Sequence, residues 1–391
     1  MKTSTKLVLC AALLGALATM GLAVRAEPIV PRDAAQVIET LVSGAGDRAE
    51  ERKLRRALAY KPRDVALATR LSQRYLDRAR ASGDPRFAGL ASAALQPWAH
   101  DVDAPSDILL MQATLEQYLH RFDAAAAKLE RLVAREPAKH QAWLTLATIR
   151  RVQGRYAASD VACQRLLALR AHLYGAACLA ENDGLRGRFD AARATFEQLL
   201  ATPGLDADAR NWLATSLAEL EQRAGRVEAA EAAWRRALNA QAAAYSVLGY
   251  ADFLIHHSRH AQALALLREQ PRNDAVLLRI AIASALSGAP GAADHARDMR
   301  ERIDAANLRP EAQTLHSREQ AMFALWVEQR PQRAFELALA NLRLQAEAID
   351  LLVLAQAARA LGGEPRLHEV RSLLQAIGQA DRRVDALLAR L

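Results

Sequence analysis

A spacing of about 34 residues between tight turns constrains this chain more than any other feature. Units begin at Ser106, His140, Leu173, Asn211 and Ala244, separated by 34, 33, 38 and 33 residues, and a small residue recurs at one helical position in each. A period in that range with helix-turn-helix character gives an all-α solenoid rather than a globular enzyme domain. The composition agrees: 51% of the chain is hydrophobic but only 5% aromatic. Alanine dominates the apolar fraction and β-branched residues are sparse, which favours helix over strand.

The clearest unit spans 140–173. Its first helix carries Trp143, Leu146 and Ala147, its turn is Gly154-Arg155-Tyr156, and its second helix follows from Ala157. The unit before it places Ala113, Phe122, Ala125, Leu129 and Pro137 in the same register. The next has Leu179, Ala180, Gly187, Phe189, Ala192 and Phe196, then come Leu217, Ala218, Gly225, Ala230, Trp234 and Ala237, and after them Ala251, Leu254, Ala263 and Leu267. This pattern resembles the tetratricopeptide repeat. The resemblance implies that small residues at positions 8 and 20 let the two helices of a unit approach, while bulky residues fill the gap to the next unit. Glycine at position 15 supplies the left-handed turn and proline near position 32 ends the second helix.

The flanks carry weaker versions of the pattern. Arg56-Ala57-Leu58 with Pro62 reads as the end of a second helix, implying a first repeat near 31–64. A longer unit follows, with Leu71, Ser72 and Tyr75, the turn Gly83-Asp84-Pro85-Arg86-Phe87 and the stop Pro97-Trp98. Later units start near Asp274 (Ile280, Ala281, Gly288, Ala293), near Leu315 (Pro331, Ala334, Ala338) and near Ala348 (Leu351, Leu354, Ala355, Gly362). Asp381–Leu391 reads as a capping helix whose outer face tolerates water. The expected organisation is therefore 27–105 as degenerate N-terminal repeats, 106–273 as the core array, and 274–391 as degenerate C-terminal repeats with a cap. The whole forms one right-handed superhelix.

Residues 1–26 read as an export signal. Lys2 and Lys6 precede an uncharged apolar run from Leu7 to Val24, and Ala26 closes a small-residue cleavage pattern before Glu27-Pro28. Cleavage there puts the mature chain in a bacterial periplasm or outside the cell, with no integral membrane span. The alternative is an N-terminal anchor retained in the inner membrane, since the run is just long enough to cross a bilayer. The chain also resembles exported bacterial proteins built from this repeat, a likeness that brings no activity with it. The formal charge of +8 falls to +5 when Lys2, Lys6 and Arg25 are removed. We read this as a weak excess spread along the chain rather than a nucleic-acid footprint.

Catalytic signatures are missing: the sequence has no H-E-x-x-H, G-x-S-x-G or G-x-x-x-x-G-K-[ST] motif. No enzyme activity and no cofactor are expected. The sharpest metal candidate is His256-His257-Ser258-Arg259-His260, in which His256 and His260 stand four apart, a spacing metals accept. In the repeat register they fall at the turn between helices, so exposed turn histidines are the competing reading. Metal handling in the cell envelope is kept as the alternative function. Cys163 and Cys178 take position 24 of one second helix and position 6 of the following first helix, within about one helical turn of facing each other. A disulfide and a pair of buried thiols both fit.

In the resembled family, positions 2, 5, 9 and 12 of the first helices project into a concave groove. Here position 2 is Tyr174, Trp212 and Tyr245 in successive repeats, and position 9 is Glu181, Glu219 and Asp252. An aromatic row beside an acidic row suits an extended partner segment with apolar and basic side chains. The expected function is accordingly an exported protein-interaction scaffold. The family's clamp for C-terminal carboxylates needs Lys and Asn at positions 5 and 9, which this chain lacks.

Overall fold

The computed structural model describes Asp33, residues 45–308 and residues 317–389. The signal segment, the first helix of the repeat near 31–64 and the unit start near Leu315 lie outside the described residues. Ala49–Leu391 is one compact unit, distinct from Met1–Arg48, and the description concerns the former.

The described residues form twenty α-helices and no strand. Helix α1 (Ala45–Tyr60) is followed by the antiparallel pairs α2 (Val65–Ser82) with α3 (Pro85–Ala94), α4 (Ser106–Tyr118) with α5 (Phe122–Arg135), and α6 (His140–Val152) with α7 (Tyr156–Ala168). Next come α8 (His172–Leu185) with α9 (Phe189–Leu200), α10 (Ala207–Arg223) with α11 (Val227–Ala240), and α12 (Ala244–His256) with α13 (His260–Arg268). The last pairs are α14 (Asp274–Ser287) with α15 (Ala292–Asn307), α16 (Ser317–Trp326) with α17 (Pro331–Leu342), and α18 (Ala348–Leu361) with α19 (Glu364–Ile377), before α20 (Arg382–Leu388). Acidic and amide caps start several of them: Asp64, Asp84, Asp206, Asn273 and Asp381 each accept a backbone N–H from the first turn.

The pairs pack as the repeat pattern requires. Positions 8 and 20 are buried in all five core units: Ala113 with Ala125, Ala147 with Ser159, Ala180 with Ala192, Ala218 with Ala230, and Ala251 with Ala263. Position 24 is the bulky slot between units, filled by Leu129, Cys163, Phe196, Trp234 and Leu267, all buried. Burying a large apolar side chain contributes about 1.5–3 kcal/mol, so these recurring slots carry the stacking. One expected position fails. Ala293 is exposed, because Gly288 and Gly291 both turn left-handed and lengthen the turn, and α15 buries only Met299.

Position 15 is left-handed whether or not glycine occupies it. Gly154, Gly187 and Gly225 have φ of 71°, 85° and 71°, and where glycine is absent His120, Ser258 and Gln329 adopt 58°, 57° and 55°. The backbone path is thus set by helix packing rather than by the local residue.

The superhelix is wound tightly enough for its end to rest on its middle. Ala346 N–H donates to the Val152 carbonyl (2.7 Å), Ala380 N–H to the Leu185 carbonyl (2.8 Å), and Arg382 Nη1 to the Ala224 carbonyl (3.3 Å). Nearer the N terminus, Asn273 Nδ2 donates to the Ala81 carbonyl (3.4 Å). Each acceptor lies at the helix-to-helix turn of an earlier repeat. Helix α20 leans on the turn between α10 and α11, and its Arg382 guanidinium sits 5.7 Å above the Phe189 ring.

Candidate functional site

Several first-helix side chains feel charges that lie far away along the chain. Glu219 on α10 and Tyr245 on α12 are both within electrostatic reach of Glu347, at the start of α18, and Tyr245 is also within reach of Arg318 on α16. Glu347 in turn feels Arg151 on α6 and His120 beyond α4. Residues from both windings thus lie within electrostatic reach of one another.

The aromatic row exists in part. Tyr174 stacks on Trp212 with ring centroids 5.8 Å apart and planes 26° from parallel. Tyr174 is 44% exposed and Tyr245 65% exposed, large values for aromatic side chains on a packed helical surface. Trp212 is half-buried beneath its neighbour. Tyr245 turns away to donate its hydroxyl to Glu219 Oε1 (2.6 Å).

The acidic row is not an open line of charge, which corrects the expectation of a surface free for basic partner side chains. Glu181 is ion-paired with Arg151 of the preceding repeat and accepts a hydrogen bond from Ser216 Oγ (2.7 Å). Asp252 is ion-paired with Arg279 of the following repeat (2.6 Å). Glu219 takes the Tyr245 hydroxyl. Burial pushes the Glu219 carboxyl above its ordinary range, against the pull of Arg223, and the Glu219 charge beside its hydroxyl holds the Tyr245 phenol well above its ordinary value. The arginines were visible in the sequence one repeat away; pairing them needed the inter-repeat geometry.

A charged cluster that the sequence reading missed surrounds Arg318. Arg318 Nε and Nη2 contact Asp350 at 2.5 and 3.0 Å, and Nη2 also pairs with Glu347. Asn341 Nδ2 adds a bond to Asp350 (2.7 Å), and the Glu347 N–H donates to the same carboxyl (2.8 Å). Burial raises the Asp350 pKa to about 6 despite Arg318. Burial would raise Glu347 too, but Arg318 outweighs it and holds that carboxyl low. Two acids sharing one half-buried guanidinium give a polar joint at the α17–α18 loop, the loop whose Ala346 meets Val152.

Polar ladders run both within and between repeats. Ser159 Oγ donates to the Ala147 carbonyl (2.8 Å), and Asn182 Nδ2 donates to Ser159 Oγ (2.9 Å) and Asp160 (2.8 Å). Asn211 Nδ2 reaches the carbonyls of Ala237 (3.0 Å) and Gln241 (2.8 Å). Cys163 and Cys178 are joined in a disulfide, with Cα atoms 5.6 Å apart.

His256 ends α12 and His260 begins α13, the turn position expected. The His256 ring meets His257 edge-on at 5.1 Å, and His257 packs at 4.6 Å from the Phe253 ring. His256 is exposed overall, as expected of a turn histidine, while crowding on its packed side lowers its pKa to about 4, helped by Arg383 and His257 and opposed by Asp381. Among the described residues no group of three or more His, Cys, Asp or Glu side chains could hold a metal ion. Nor is any described helix long and apolar enough to cross a membrane.

No family model and no curated protein matches this chain. Among solved structures, a tetratricopeptide repeat protein from Parabacteroides merdae ATCC 43184 is similar over 64% of this chain and 98% of its own, with 14% identity and a TM-score of 0.38. The Naa15/Naa10 complex bound to HypK-THB contains a chain with 13% identity and a TM-score of 0.28; the match covers 88% of this chain and 63% of that one.

Proposed function

We propose that this protein is a non-catalytic interaction scaffold that binds a partner segment along the inner face of its helix-pair solenoid. The observation that carries the reading is the stacked Tyr174–Trp212 pair, held partly exposed on consecutive first helices. Aromatic rings on a rigid frame provide contact area at little entropic cost, which suits recognition of apolar side chains. Because Glu181 and Asp252 already hold arginines, the partner's anchor is apolar rather than basic. Export rests on Lys2, Lys6 and the Leu7–Val24 run, and places the partner in the cell envelope.

Photo-crosslinking tests the reading directly. A photoreactive residue at Tyr174 or Tyr245 should capture a discrete partner in living cells. The same residue at Val161, which is exposed on second helix α7, should not. Equal capture at all three positions, or capture at Val161 alone, rejects the inner face.

A further inference from the structure

The net basic charge, read above as spread along the chain, is concentrated in its first two described helices. Residues 49–80 hold ten Arg and Lys against four Asp and Glu, a net of +6, whereas the chain after Ala26 nets +5 in all. Everything outside that segment is therefore close to neutral.

The excess is presented on one helix face. Arg52, Lys53 and Arg56 on α1 are exposed, and among the described residues they form no ion pair. Arg52, Arg56 and Tyr60 follow at intervals of four, with Lys53 beside them, so all four share one side of the helix. Leu54 points the other way and is buried. Tyr60, at the end of the same face, is 86% exposed, among the most exposed large apolar side chains described. The cations of α2 differ: Arg70 and Arg78 are taken up by Glu50 and Glu51.

We propose that this face of α1 docks on an anionic phospholipid surface. Free Lys and Arg on a helix attract acidic headgroups, and a tyrosine at the rim is the side chain suited to the headgroup layer. The apolar run Leu7–Val24 lies just upstream in the sequence, so this cluster of unpaired cations follows a stretch of bilayer-compatible length. A nucleic acid or an acidic protein would also attract cations, but neither accounts for an exposed tyrosine in line with them and an apolar segment ahead of them. Membrane docking would leave the far repeats free to engage a partner.

Vesicle sedimentation with the purified full chain tests this. Vesicles of phosphatidylcholine with about 30% phosphatidylglycerol should bind roughly tenfold more protein than pure phosphatidylcholine, and about 0.5 M NaCl should abolish the difference. Any contribution of the N-terminal apolar run is common to both lipids and cancels. The charge reversal R52E/K53E/R56E should remove the preference, whereas Arg165→Glu on α7 should leave it intact. Since the three side chains are exposed, an unchanged circular dichroism spectrum verifies the fold, and the milder R52Q/K53Q/R56Q should bind at an intermediate level. Equal binding to both lipids overturns the proposal, as does a preference that survives the charge reversal. Salt-sensitive binding to polyglutamate or DNA without a vesicle preference overturns it in favour of another partner class.

Discussion

The Ala346 N–H and the Val152 carbonyl, in repeats far apart along the chain, share a hydrogen bond of 2.7 Å. It is a closing contact of the superhelix, and Gly154 makes room for it. A Cβ on Gly154 would come within 3.1 Å of Ile377 Cγ2, and one on Gly187 within 3.0 Å of Ala380 Cβ. Glycine at position 15 thus serves both the left-handed turn and the approach of the second winding.

Replacing Gly154 or Gly187 with alanine should therefore destabilise the protein by about 1–2 kcal/mol from the turn conformation alone, with the contact adding to it. Urea denaturation followed by circular dichroism reads the loss. A midpoint unchanged in both variants would show that the windings do not meet there.

The opposite change is expected where the turn is left-handed without glycine. Ser258 and Gln329 have exposed side chains and φ of 57° and 55°. Ser258→Gly and Gln329→Gly remove the Cβ penalty at little cost in packing. Each should raise stability by about 0.5–1 kcal/mol, net of the extra freedom glycine brings to the unfolded chain. A lowered denaturation midpoint would contradict this.

Arg318 neutralises two acids at once, Asp350 being fully buried. Arg318→Met leaves both carboxylates without a counter-charge and should cost about 3–5 kcal/mol. The triple variant R318M/E347Q/D350N should recover part of that loss, because the stranded charges are gone. If the triple variant is no more stable than Arg318→Met, charge compensation is not the joint's role.

How much of this was legible in the sequence depended on distance. Positions 8, 20 and 24 were readable because helix pairing within a unit is local, and Ala147 and Trp234 fill the slots that spacing assigns them. The α14–α15 turn misled the register because two glycines in four residues lengthened it, leaving Ala293 in solvent. The contacts of Ala346 and Ala380 had no local signal at all. They depend on small rotations accumulated over several repeats, which no single motif encodes. The acidic row failed for a related reason: Glu181 and Asp252 were correctly placed on first helices, but their arginines sit in neighbouring units.

His256 should make the protein's stability weakly dependent on pH, because its exposed side chain lets solvent screen part of the shift. Its folded pKa of about 4 lies below the ordinary 6.5, so the unfolded chain takes up a proton first as acid is added. The contribution is fully present above pH 6.5 and is lost between about pH 6.5 and 4. His256→Gln should flatten the denaturation midpoint across that window without altering it near pH 8. An equally steep dependence in the variant would assign the effect to other groups.

Cys163 occupies the slot that Leu129, Phe196 and Trp234 fill in other repeats, so its side chain is small for its place. The bridge to Cys178 compensates by fastening the second helix of one unit to the first helix of the next across 15 residues. A loop of that length, once closed, restricts the unfolded chain by about 3 kcal/mol, part of which packing strain offsets. Reductant should lower the denaturation midpoint of the wild type and leave that of the C163A/C178A variant unmoved. Stability should fall by about 2–3 kcal/mol in each case. A wild-type midpoint indifferent to reductant would mean that the paired helices hold their register without the bond.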